Sequence, residues 1–86
     1  MAQYKITLEQ GTIQPNFKLV VRDTNGDYVK SVIGQVSISL LSNEMRFYLN
    51  GVLMYIYALS EIVDVNGGDT SNYTEEDFYI LFISIL

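Results

Sequence analysis

The chain contains neither histidine nor cysteine, so any chemistry must come from its carboxylates, hydroxyls, tyrosines and few cations. That removes the usual general base near neutral pH and the best thiol nucleophile, and it leaves no thiolate for a metal. Two carboxylates could still act as acid and base on a glycoside, but only in a cleft that drives their pKa values apart, and 86 residues leave little room for one. No catalytic residue is assigned, and an enzyme is not expected. The carboxylates read as solvated side chains on turns and at a helix start. Two acidic turns carry oxygens that a calcium ion could use. In Asp23-Thr24-Asn25-Gly26-Asp27 the glycine comes too early for an EF-hand loop, and position 34, where the closing glutamate would stand, is Gly34. Asp64, Asn66 and Asp69 around Gly67-Gly68 could contribute to an oxygen-rich site, yet ordinary turns use the same residue types. No metal or cofactor is therefore expected.

Tyrosine is the more informative residue. Residues 45–57, MRFYLNGVLMYIY, combine the most apolar stretch with an Asn50-Gly51 pair, and Asn and Gly both tolerate the positive φ of a type I′ turn. With that pair as the loop, Phe47 faces Met54 and Arg46 faces Tyr55. Strand alternation then puts Met45, Phe47, Leu49, Val52, Met54 and Ile56 on one face, and Arg46, Tyr48, Leu53, Tyr55 and Tyr57 on the other. The first face reads as core. The second is the candidate binding face, because Tyr and Arg are enriched where proteins meet. The competing reading is that the C-terminal segment folds over the tyrosines and makes them core.

The elements that would position these residues follow from pattern. Tyr4, Ile6 and Leu8 alternate with Lys5, Thr7 and Glu9, which predicts a first strand with one wet face. Residues 10–16, with the only proline, read as a loop. A second Asn-Gly pair at Asn25-Gly26 predicts a hairpin of residues 17–23 with 28–41, in which Val21 faces Lys30, Leu19 faces Val32 and Phe17 faces Gly34. The same parity runs on through Val36, Ile38 and Leu40, and Gly34 predicts a kink or bulge. Ser42-Asn43-Glu44 reads as a short polar connection. Ile62, Val63 and Val65 could add a short strand before the glycine-rich loop. At the end, Thr74 followed by Glu75, Glu76 and Asp77 predicts a capped helix start, with Phe78, Phe82 and Ile85 as its apolar stripe. The alternative is a strand over residues 77–86, since 78–83 is rich in strand formers.

Composition bounds what is left. Eighty-six residues suit one domain spanning 1–86, and a chain of this size buries only ~60–65% of its unfolded surface. Five Lys and Arg against ten Asp and Glu leave −5, which opposes binding to nucleic acid or anionic membranes. No phosphate-binding glycine motif occurs. The N-terminus lacks a signal-peptide core, and the longest apolar runs fall short of the ~20 residues of a spanning helix, so a cytoplasmic protein is expected by default.

The short acidic chain without Cys or His, its start at MAQYKITLEQ, the Asn-Gly hairpins and the stretch NGGDTSNYTEEDF together resemble the small accessory virion proteins of tailed bacteriophages, such as capsid-decoration, fibre-anchoring or tail-associated modules. The resemblance implies repeated copies on a capsid, portal or tail surface, a virion location, and function by contact rather than turnover. The expectation is a mainly β fold: an antiparallel meander or partly open barrel of five or six strands with a C-terminal helix, or alternatively an all-β sandwich. Its expected function is structural interaction through protein partners, as a homo-oligomer or bound to an assembly. The alternative is a small module that stacks glycans or other ligands on its tyrosines.

Overall fold

Asn, Asp, Gly and Ser punctuate this chain at short intervals, so the strands between them are short and pair with their sequence neighbours. The computed structural model describes residues 2–10 and 16–83. Five residues of the predicted 10–16 loop (11–15), together with Ile85 of the helical stripe, lie outside them. Six antiparallel strands form two three-stranded sheets. The first is β1 (Tyr4–Gln10), β2 (Phe17–Asp23) and β3 (Tyr28–Gly34); the second is β4 (Val36–Leu41), β5 (Glu44–Leu49) and β6 (Val52–Ala58). A 3-10 turn at Leu59–Glu61 and helix α1 (Glu75–Ile83) follow. The fold is thus mainly β with a C-terminal helix, without closure into a barrel.

The predicted strand over 28–41 divides between the two sheets. β3 ends at Gly34 and β4 begins at Val36, so the kink expected at Gly34 is a change of sheet. The corner is tight: a Cβ on Gly34 would come within 2.6 Å of Leu49 Cδ1, and that side chain would have to move aside. Asn50, at the end of the neighbouring strand β5, clamps the corner. Its Oδ1 accepts the Gln35 N–H at 3.0 Å, and its own N–H donates to the Gln35 carbonyl at 2.8 Å.

Register in the first sheet follows the expected pairs: Val21 with Lys30, Leu19 with Val32, Phe17 with Gly34. Ile6 and Leu8 of β1 and Leu19 and Val21 of β2 point into a core shared with Ile38, Met45 and Phe47 of the second sheet. Helix α1 contributes Phe78 and Phe82, both fully buried, with the Phe82 ring 5.5 Å from that of Phe47. The cap is reciprocal, with the Asp77 N–H donating to Thr74 Oγ1 at 3.1 Å and the Thr74 N–H to Asp77 Oδ2 at 3.0 Å. This cap and the i, i+4 phenylalanine pair explain why the segment from 75 to 83 is helix rather than the alternative strand.

Two expectations change. Ser42-Asn43 is itself a two-residue hairpin turn, with φ of 53° and 62°, joining β4 to β5 without any glycine. The short strand expected at 62–65 shrinks to isolated bridges: Ile62 pairs with Tyr4 and Val63 with Asp69, while Val65 is exposed. Thr70, fully buried, holds this segment in place by donating from Oγ1 to the Ile62 carbonyl at 2.7 Å.

Candidate functional site

The β5–β6 hairpin begins as its sequence dictates. Asn50 and Gly51 take φ of 52° and 81°, and Leu49 pairs with Val52 and Tyr48 with Leu53. The register then shifts by one residue at Met54, a β-bulge, so that Phe47 pairs with Tyr55 and Met45 with Tyr57. Because side chains alternate with period two, one extra residue exchanges the two faces for the rest of the strand.

This corrects the candidate face. Tyr57 lies in the core at 7% exposure, its ring 5.5 Å from that of Tyr4 and 6.0 Å edge-on to that of Phe47. Tyr55 is half-buried against the same core. Arg46 and Tyr48 remain half-exposed, and Leu53 is exposed. The five residues expected to share one surface are therefore divided between inside and outside. Met54 and Ile56, expected in the core, are exposed, and so is Val52 at the end of the turn. Met45 and Phe47 are buried as expected. The inner face keeps its aromatic surplus because α1 and Tyr4 cover it, which is the competing reading for Tyr57.

Polar groups around the tyrosines are few. The Tyr57 hydroxyl is buried with no hydrogen-bond partner among the described residues. Burial chiefly, then the neighbouring Tyr4, Tyr55 and Glu61, pushes its pKa up to about 12. Lys30, on β3 of the other sheet, places Nζ over the Tyr55 ring at 4.4 Å from the centroid and 5.7 Å from that of Tyr57. Turn parity pairs Lys30 with Val21, on the face shared with Leu19 and Val32, and that parity is the signal by which this contact could have been found. On the outer face, Arg46 Nη2 lies 3.2 Å from Glu44 Oε1.

The acidic turns spend their carboxylates locally. Asp64 Oδ1 accepts the N–H groups of Asn66 and Gly68, at 2.8 and 2.7 Å. Asp23 Oδ1 does the same for Asn25 and Asp27, both at 2.9 Å. Asp69 accepts from the N–H and hydroxyl of Ser71, which hold its carboxyl below the ordinary range, the hydroxyl most strongly. Among the described residues no three acidic side chains converge on a point where a metal could sit.

The sheet edges differ in what covers them. The Ile38 and Leu40 N–H groups of β4 reach the Tyr79 hydroxyl and Glu75 carboxylate of α1, each at 3.4 Å. The outer side of β1 receives the Val63 N–H at the Tyr4 carbonyl, 3.0 Å away. β3 and β6 end their sheets. Together they hold seven of the eleven large apolar side chains exposed among the described residues. β6 reads VLMYIYA, without a charge or a proline. That uncharged run was visible in the sequence, but only topology reveals that it is an edge.

No helix among the described residues is long and apolar enough to cross a membrane. Comparison with protein families, with curated proteins and with solved structures returns no match for this chain.

Proposed function

We infer that this protein is a non-enzymatic interaction module that assembles by strand addition at β6, and that the strand it takes is β6 of a second copy. The observation that carries this reading is the edge itself: Val52, Leu53, Met54 and Ile56 exposed along a strand that ends its sheet. Natural edges are ordinarily blunted by charge, proline, a bulge or cover; β6 has only the bulge at Met54, and an uncharged apolar edge is a template for another strand. The choice of a second copy rests on charge. The chain carries −5, so most of its surface repels another copy. Only β4 and β6 among the six strands lack a charged side chain, and α1 occupies the free edge of β4. Antiparallel pairing of β6 about a twofold axis sets two uncharged strands side by side and joins the Leu53 and Ile56 side chains of the two copies into one apolar row. A pair of seven-residue strands buries less than the ~800 Å² per partner of a standard interface, so association in the ~micromolar range is expected.

The setting implied by the phage resemblance is a virion surface, where many copies are held close together and a weak contact suffices. Sugar stacking has less support, since it needs a broad open ring face and Lys30 Nζ already lies over those of Tyr55 and Tyr57. Light scattering and mass photometry across a concentration series test the assembly reading. The wild type should dimerise, and the Leu53→Lys, Ile56→Lys double variant should remain a folded monomer. A wild type that stays monomeric at ~1 mM, where micromolar affinity would saturate, would end it.

A further inference from the structure

We propose that the faces of Tyr55 and Tyr57 form a cation site which Lys30 occupies from within the chain, and which accepts an N-methylated ammonium group when Lys30 swings away. The site is independent of the edge-pairing proposal. Its walls are two rings, 6.2 Å apart between centroids and tilted at 48° to each other. The core holds them: Tyr57 packs on Tyr4 and Phe47, and Tyr55 pairs with Phe47 across the strands. A resident ammonium already lies over both rings, at 4.4 and 5.7 Å from their centroids. Among the described residues it makes no ion pair, so the rings, rather than a carboxylate, account for its position. The negative charge of Glu61 reaches Tyr57 and adds to the potential that favours a cation there.

The class of ligand follows from the chemistry of the walls. Aromatic faces attract a cation through their quadrupoles and offer no lone pairs in exchange for a hydration shell, so they favour a large, weakly hydrated ammonium over a small metal ion. Methylation lowers the cost of dehydration and adds contact with the rings. Lys30 is a modest competitor because it is exposed and sits on a flexible stem.

Tetramethylammonium chloride is the probe, followed by the NMR resonances of the tyrosine rings, with sodium chloride at matched ionic strength as control. In Lys30→Ala the ring signals of Tyr55 and Tyr57 should shift saturably, with a Kd about two- to five-fold tighter than in wild type, the factor expected from removing an exposed cation–π competitor. Adding Tyr55→Leu to that variant should abolish the shift. Lys30→Met, which keeps the apolar stem, repeats the test if the alanine variant loses its fold. The proposal is overturned by a folded Lys30 variant whose rings do not respond, or respond equally to sodium chloride. Affinity unchanged between wild type and variant would equally remove Lys30 as the occupant.

Discussion

Both predicted hairpins contain a bulge, and the two bulges have opposite consequences. In the first, the Asp23 carboxylate gathers the N–H groups of Asn25 and Asp27, only Gly26 of the Asn-Gly pair has a positive φ, and the turn closes with Arg22 opposite Tyr28. The bulge at Val29 then restores the pairing of Val21 with Lys30, which a two-residue Asn-Gly loop would also have produced. In the second, no carboxylate stands two residues before the Asn-Gly pair, the turn is type I′ as expected, and the bulge at Met54 breaks a register that had been regular. One bulge cancels an irregular turn at the hairpin's end. The other sits inside the strand and reverses everything beyond it. Parity read from a turn is thus reliable only as far as the next bulge.

The sharpest way to break this comparison is to test which side Tyr57 occupies. Tyr57→Ser should cost about 3 kcal/mol in urea unfolding, because it empties a buried aromatic site, while Tyr48→Ser on the outer face should cost under about 1 kcal/mol. Equal effects would place both rings on one face and remove the bulge.

The next largest effect concerns the turns. Asp64, Asn66 and Gly67 repeat the bonding of Asp23, Asn25 and Gly26, including a glycine N–H that donates to the Asp carbonyl, at 2.9 Å in one and 3.0 Å in the other. Asp23→Ala and Asp64→Ala should each lose about 1–2 kcal/mol by unpairing two backbone N–H groups from a carboxylate. Retention of full stability in both would show the carboxylates to be incidental to the turns.

A pH series isolates Tyr57. Its pKa is about 12 in the folded chain against about 10 when unfolded. Below pH 10 the phenol is neutral in both states and contributes no pH dependence. Between pH 10 and 12 the unfolded chain releases the proton while the folded chain retains it, so stability falls as pH rises. Tm should decline over that window, and Tyr57→Phe should remove that part of the decline. The same variant should be neutral or more stable at pH 7, since it deletes a buried hydroxyl that has no partner among the described residues. An identical decline in Tyr57→Phe would place the hydroxyl in solvent.

The smallest effect tests the bulge directly. Deleting Met54 lets Tyr55 follow Leu53 and still face Phe47, so the inside and outside of β6 are preserved and stability should change by less than about 1 kcal/mol. The straightened edge should pair more readily with a second copy, seen as a lower dimerisation midpoint. Exposure of Tyr57 in the deletion variant, read from its ring protons, would contradict the register.

Much of this fold was legible because local rules agreed with each other. Strand positions followed period-two patterning, the turn residues marked the hairpins, and Thr74 with Asp77 marked the helix start. Pairs beyond the first hairpin's turn were legible because its bulge happened to preserve parity. The candidate face was not. Met54 carries no signal that distinguishes a bulged residue from a paired one, and the Ser42-Asn43 turn lacks the glycine by which such turns are recognised.

The sequence by itself determined the mainly β class, the two Asn-Gly turns, the helix cap at Thr74 and the lack of histidine and thiol side chains, each read from composition or from residues near one another in the chain. Tertiary structure decided which tyrosines are core and which edge stays open. Phe47 and Phe82 meet, and Tyr4 reaches Tyr57, only when the two sheets and the helix close on a shared interior. The packing gained there is what holds the bulge in place, because burying Tyr57 on the inside outweighs leaving Met54 and Ile56 outside. That exchange is settled between residues far apart in the chain, where neither pattern nor spacing can register it.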